Sequence, residues 1–201
     1  MYFFSHILIS RVLYRYFIKE VRLNKWAFAY GNIKPDLPPS CFETRHTLEK
    51  TLAVVYEKAY QLTSGNLKPY EFSVKLGEIC HFVCDFFCYH HLSDSLHKQI
   101  FRHILYEILL HFKMCLLHFQ HKINIPPDIK PPNRGIASII FEMRREYFSN
   151  PKSLNKDIDY AYSAAVWTFK EIIFCMKYSF HVPVHSDIKF SSSFQSQGRQ
   201  L

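Results

Sequence analysis

Glycine and long apolar runs are the two features that this sequence most lacks. Only five of its 201 residues are glycine, and its long segments repeat apolar residues at helical spacing, which predicts an all-α fold. No run of 18 apolar residues occurs, so we expect no transmembrane segment. The N-terminal stretch begins apolar, but His6, Arg11 and Arg15 interrupt it and no small-residue cleavage site follows. We therefore expect no signal peptide and a cytoplasmic location.

Several familiar motifs are also missing. The six cysteines form no C-x-x-C pair, which excludes a zinc ribbon and a dithiol redox motif. Cys80, Cys84 and Cys88 repeat every four residues, so we interpret them as buried, reduced thiols on one helical stripe. The glycine-rich motifs of nucleotide binding, the G-x-S-x-G serine motif and the H-E-x-x-H metalloprotease motif are absent.

The chain is basic, with a formal net charge of +8. Such a charge fits a protein that binds nucleic acid, a membrane surface or an anionic substrate, and equally one that uses the charge for solubility alone. On the first predicted helix, Arg11 and Arg15 share a stripe that either contacts anionic lipid or faces water. On a later helix, Lys98, Arg102 and Lys113 mark the predicted outer face.

We predict one helical domain over residues 1–185 and a Ser- and Gln-rich tail at 186–201 that we expect to be disordered. The predicted helices are, in chain order, 3–22, from Phe42 or Glu43 to 66, from just after Pro69 to 91, from a cap at Ser93 or Asp94 to 121, 136–148 and 157–180. The segment "NKWAFAYGNIKPDLPPS" between the first two is predicted to be a loop, because it contains a glycine and three prolines.

Two pairs of histidine and carboxylate lie on adjacent predicted helices. His81 and Asp85 are four residues apart, and so are His103 and Glu107, so each pair projects from one side of its helix. The short link makes these helices antiparallel neighbours, with His91 at the joint. Imidazole nitrogens and carboxylate oxygens suit Zn²⁺ better than Mn²⁺ or Fe²⁺. Because glutamate is rarely buried without a partner, we predict a zinc site between the two helices.

In these residues the chain resembles the zinc-dependent phospholipases C, the family that contains the small Bacillus enzyme and the catalytic domain of clostridial alpha-toxin. The family signature is H-x₃-D-x₅-H, followed a dozen or so residues later by H-x₃-E. His81, Asp85 and His91 match its first part, and His103 and Glu107 match its second.

Three further positions match upstream of this signature. The family places an aspartate in a loop and a histidine on the next helix, where this chain has Asp36 and His46. Near its N-terminus a histidine opens a helix, where this chain has His6. The resemblance implies an all-α bundle with a metal site between its helices. We expect no β-sandwich domain of the kind that alpha-toxin adds.

The resemblance also implies a site for three zinc ions. By analogy the ligand sets are Asp36, His46, His81 and Asp85 for one ion, His91, His103 and Glu107 for a second, and His6 and Asp85 for a third. In secreted members a processed N-terminal tryptophan completes the third set, and this chain has only "MYFFS" before His6. The third ion is then weakly held, absent or completed by the backbone of Met1, and we expect two tightly bound zinc ions.

The implied reaction is hydrolysis of a phospholipid to diacylglycerol and a phosphorylated headgroup, with Asp36 as general base as well as ligand. Two other functions stay open. One is a nuclease-type phosphodiesterase or 3′-nucleotidase, which the positive charge favours, although Glu107 in place of an aspartate favours the phospholipase. The other is a non-catalytic, zinc-stabilised helical binding protein. We expect a phospholipid substrate and a peripheral contact with a membrane surface, and we do not expect nucleic acid as a partner.

Overall fold

The structure, a computed structural model, describes residues 1–37, 46–65, 67–92, 100–123 and 135–178. Its α-helices are Phe3–Phe17 (α1), Lys25–Ile33 (α2), Leu48–Ser64 (α3), Pro69–Asp85 (α4), Ile100–Phe119 (α5), Ile136–Ser149 (α6) and Leu154–Tyr178 (α7). Two short 3₁₀ helices, Lys34–Asp36 and Tyr89–His91, lie between them. The described residues contain no strand, so the predicted all-α bundle is confirmed. The tail at 186–201 and the helix starts predicted at 42, 43 and 94 lie outside the described residues.

Helix α4 is the central helix of the bundle. It packs against α2, α3 and α7, and every residue from 76 to 88 is buried. A helix that is buried on all sides tolerates polar groups only where partners meet them. The same stretch holds His81 and Asp85, whose side chains are inaccessible to solvent. Cys80, Cys84 and Cys88 are buried free thiols as predicted, but only the first two share a helix, because Cys88 lies beyond the end of α4.

The segment predicted as a loop instead contains α2, which crosses α4 in backbone contact. Oδ1 of Asn24 accepts a hydrogen bond from the N–H of Ala27 at 2.9 Å, a typical helix start. A β-carbon on Gly77 would lie 2.4 Å from the carbonyl oxygen of Phe28, and one on Gly31 would lie 2.1 Å from an α4 carbonyl oxygen. Gly31 therefore permits close packing rather than a turn. The loop prediction was wrong because it treated this glycine as a turn residue.

Helix α4 ends at Asp85, not at His91 as predicted. Beyond its end, the N–H of Tyr89 donates to the hydroxyl oxygen of Tyr106 at 3.2 Å and to Oδ2 of Asp157 at 3.4 Å. These two acceptors come from α5 and α7. Contacts between helices, rather than a local helix breaker, therefore redirect the chain into the 3₁₀ helix that follows.

The remaining helix limits are closer to prediction. Helices α6 and α7 begin and end within about three residues of the predicted bounds, the usual uncertainty of helix ends. Helix α1 ends at Phe17 instead of residue 22, in a turn where the N–H of Glu20 donates to the Phe17 carbonyl at 3.0 Å. Within the described part of the chain, no helix combines the length and the apolar character that crossing a bilayer requires.

Replacing Gly77 by alanine is expected to lower the free energy of unfolding by about 1–3 kcal/mol, because the added methyl group meets the backbone of α2, which cannot rotate away. Chemical denaturation followed by far-UV circular dichroism measures this change. Tyr70→Ala, at an exposed position of the same helix, is the control. Unchanged stability of Gly77→Ala would contradict the backbone contact between α2 and α4.

Candidate metal centre

The carboxylate of Asp85 lies at the centre of the predicted ligands. Its Oδ1 is 3.3 Å from Nε2 of His6. Its Oδ2 is 3.2 Å from Nδ1 of His46, 3.5 Å from Nε2 of His81 and 3.3 Å from Nδ1 of His91. Each of these histidines comes from a different part of the fold: α1, the residues before α3, α4 itself and the 3₁₀ helix after it. Both oxygens face ring nitrogens, as expected of a carboxylate that bridges cations.

Asp36, His46 and His81 form a first group of potential ligands beside Asp85. Nε2 of His81 lies 2.9 Å from Nδ1 of His46, and Oδ1 of Asp36 lies 3.6 Å from the first nitrogen and 3.7 Å from the second. Asp36 ends the 3₁₀ helix that follows α2, so the helix missed in the sequence positions this carboxylate. Its side chain is 23% exposed, whereas that of Asp85 is fully buried.

The hydrogen bond of His81 shows which nitrogen of its ring is available to bind a cation. Nδ1 of His81 lies 2.8 Å from the carbonyl oxygen of Asn32; a carbonyl only accepts, so Nδ1 carries the proton. Burial lowers the pKa of His81 well below its ordinary value, which leaves Nε2 as a bare lone pair. That lone pair faces His46 and the carboxylates of Asp36 and Asp85. A cation satisfies all of these donors together, and Asn32 orients the ring as outer partners of metal ligands do. The residues therefore fit a metal ion.

His91, His103 and Glu107 form a second group, between the 3₁₀ helix and α5. The Nε2 atoms of the two histidines are 3.2 Å apart, and Oε1 of Glu107 lies 3.0 Å from that of His91 and 2.9 Å from that of His103. Cys88 joins this group, because its sulfur and the ligand atoms of His91 and Glu107 all lie within 4.8 Å of one another. The prediction that Cys88 is only a buried core thiol therefore missed a potential metal ligand. Its C-x-x-H spacing to His91 is the signal that could have revealed it.

His6 and the α-amine of Met1 form a third group with Asp85. Both ring nitrogens of His6 are buried and have no hydrogen-bond partner among the described residues. The Met1 nitrogen lies 2.5 Å from Oδ1 of Asp85, 3.2 Å from Nε2 of His91 and 3.3 Å from Oε1 of Glu107. The Met1 amine and Nε2 of His6 therefore both lie beside Oδ1 of Asp85.

The charges of these groups keep the carboxylates of Asp85 and Glu107 ionised. Burial acts to raise the pKa of Asp85, but His91 and the Met1 amine outweigh it and hold that pKa well below its ordinary value. Burial acts in the same direction on Glu107, whose pKa is nevertheless held low by the Met1 amine, His103 and His91. Two anionic carboxylates beside imidazoles in a dry site attract cations strongly.

A carboxylate outside these groups holds the second group in place. Asp157 is fully buried and accepts hydrogen bonds from the hydroxyl of Tyr106 and the N–H of Tyr89. Tyr106 directly precedes Glu107 on α5, and Tyr89 begins the 3₁₀ helix that ends at His91. Asp157 thus joins the two elements that carry the second group, although the sequence offers no motif that marks it.

Comparison with known proteins finds one family. The family model described as zinc dependent phospholipase C matches residues 2–165, a span that includes all eight predicted ligands. No curated protein and no solved structure matches the chain at a significant level.

Replacing His81 or Glu107 by alanine is expected to lower zinc affinity by at least about 100-fold, because losing a ligand costs more than losing an outer partner. Elemental analysis after dialysis, together with zinc titration, measures this change. His118→Ala is the matched control, since His118 lies on the same helix as Glu107 but outside the three groups. Full metal content in either ligand variant would show that the assignment is wrong.

Proposed function

Because the chain belongs to the zinc-dependent phospholipase C family, we propose that it is a zinc-dependent phosphodiester hydrolase that cleaves phospholipid into diacylglycerol and a phosphorylated headgroup. The observation that carries this proposal is the convergence of three donor groups on the Asp85 carboxylate. A structural zinc site needs only one closed set of four ligands. Several adjoining sets, one with a partly exposed carboxylate, are typical of hydrolytic sites.

The zinc ions and the residues that position them have distinct tasks in this proposal. Bound zinc ions would supply Lewis acidity, which polarises phosphoryl oxygens, neutralises developing charge and lowers the pKa of water. Asp85 joins the three groups, so its two oxygens set their spacing. The carbonyl of Asn32 holds the His81 ring in one tautomer, which keeps Nε2 available as a donor.

Asp36 is the residue to which we assign proton transfer. Its side chain is the more exposed of the two carboxylates in the first group, so water can reach it while Asp85 stays enclosed. In the proposed step, Asp36 accepts a proton from the water whose oxygen attacks phosphorus. The bond between phosphorus and the glycerol oxygen then breaks, the glycerol oxygen takes up the proton that Asp36 accepted, and diacylglycerol leaves.

Activity on phosphatidylcholine micelles, compared with activity on RNA and single-stranded DNA, tests the proposal. We expect the zinc-loaded protein to release diacylglycerol from the micelles and to leave the nucleic acids intact. Activity on the nucleic acids alone would instead indicate the nuclease-type phosphodiesterase, which the net charge of +8 favours. No activity on either, with zinc still bound, would indicate a zinc-stabilised binding protein.

Asp36→Asn is expected to lower turnover by at least about 100-fold, the usual contribution of a general base. It should retain most of the zinc, because the amide oxygen remains a donor. Glu146→Gln, at an exposed position of α6, controls for the loss of a carboxylate. Parallel loss of zinc and turnover in Asp36→Asn would reduce Asp36 to a ligand, and unchanged turnover would remove it from the reaction.

The number of ions is a separate prediction. We expect two zinc ions per chain to survive dialysis, held by the first two groups, and a third to bind only when zinc is added. The third group is weaker because its amine must release a proton before it can act as a donor. A protein with one alanine added before Met1 should keep the first two ions and lose the third, since the amine moves away from Asp85. Three ions retained after dialysis, or a third ion in the extended protein, would contradict this assignment.

A further inference from the structure

The outward face of α5 is apolar along its whole length. Six large side chains there are exposed, and we call them the α5 stripe: Phe101, Leu105, Leu109, Phe112, Leu116 and Phe119. At 100° per residue they fall within about 80° of the helix circumference and extend over about 27 Å. The two terminal phenylalanines are 91% and 83% exposed. A contiguous apolar surface of this kind is typical of an interaction site.

Basic residues border the α5 stripe along one edge. Arg102 is exposed there and Lys113 is half-buried, while Lys98, predicted to share that face, lies outside the described residues. Glu107 of the second ligand group lies on the opposite side of the helix, about 160° from the middle of the stripe. The basic residues therefore form an edge rather than the outer face that the sequence predicted. Helix α5 carries basic, apolar and metal-binding side chains on separate sides.

Apolar surface continues from α5 onto the beginning of α1. Phe4 is 52% exposed, and its ring centroid lies 6.3 Å from that of His111 on α5. The ring of Tyr2 lies 5.7 Å from the same imidazole, and Met1, whose amine lies among the ligands, comes directly before it. Exposed apolar side chains thus border the candidate metal centre on two helices.

We infer that the α5 stripe docks the protein on a phospholipid surface. The inference rests on the proposed function and specifies how the enzyme meets its substrate. Continuity favours lipid over a second copy of the chain, because a surface that covers the stripe and Phe4 brings its phosphates close to the ligands. The basic edge complements anionic headgroups. An apolar face flanked by arginine and lysine is also the composition of helices that lie in a membrane interface.

The dimensions agree with this placement. An interfacial helix buries its apolar face about 5–10 Å into the boundary between headgroups and acyl chains, and a helix with side chains is about 10–12 Å across. The opposite side of such a helix therefore lies at the depth of the headgroups. At 100° per residue, His103 and Glu107 fall about 160° from the middle of the α5 stripe, so they lie near the phosphodiester rather than the acyl chains.

Flotation with vesicles tests the inference directly. The zinc-loaded protein is mixed with vesicles of phosphatidylcholine containing phosphatidylserine, and Leu105→Gln/Phe112→Gln is compared with the native chain. The variant lacks two apolar side chains that the lipid would bury, so its affinity for the vesicles should fall at least about tenfold. Phe141→Gln, which changes an exposed aromatic residue on α6, should alter binding by less than about twofold. Equal binding of the double variant and the native chain would overturn the inference.

Two further measurements separate docking from catalysis and from self-association. In the double variant, the ratio of turnover on vesicles to turnover on a monomeric short-chain phospholipid should fall about tenfold. Vesicle binding that depends on the α5 stripe, in a protein that hydrolyses neither substrate, would refute the proposed function and support the docking surface. A native dimer that the double variant converts to a monomer, as measured by light scattering, would assign the stripe to a second copy and overturn the inference.

Discussion

A carboxylate buried without access to water is the constraint on which the rest of this structure depends. Asp85 is fully enclosed, and an isolated charge in such a place would cost many kcal/mol. The fold compensates by bringing ring nitrogens from α1, α4, the 3₁₀ helix and the residues before α3, together with the Met1 amine, to within 3.5 Å of its oxygens. Each of these elements therefore has its position set in part by one side chain.

Two contacts outside the ligand groups keep these elements in register. The backbone contact between Gly31 and Gly77 brings the Asn32 carbonyl within reach of His81, so the packing of two helices determines a tautomer. Asp157 acts in the same way on the second group, because it binds both the N–H that starts the 3₁₀ helix and the tyrosine beside Glu107. The precision of the centre thus resides in ordinary helix packing and buried hydrogen bonds.

The residues that share one helix were the part of this centre that sequence predicted well. His81 with Asp85, and His103 with Glu107, are fixed by helical periodicity alone and do lie 3.5 Å and 2.9 Å apart. Features that depend on contacts between helices were missed: the existence of α2, the end of α4, and the place of Cys88 in the second ligand group. The apolar face of α5 was missed for another reason: periodicity shows which residues share a face, but not which face meets the core.

The Met1 amine and Asp85 are 84 residues apart in the chain, and this separation affects the order of folding. Closing so long a loop is entropically costly and slow, so we expect the contact between the Met1 amine and Asp85 to form late in folding. The Met1 amine therefore has no partners until Asp85, His91 and Glu107 have been synthesised, at least 84 residues later. Zinc that arrives before this closure meets an incomplete set of donors, so its binding free energy adds to the stability of the folded state.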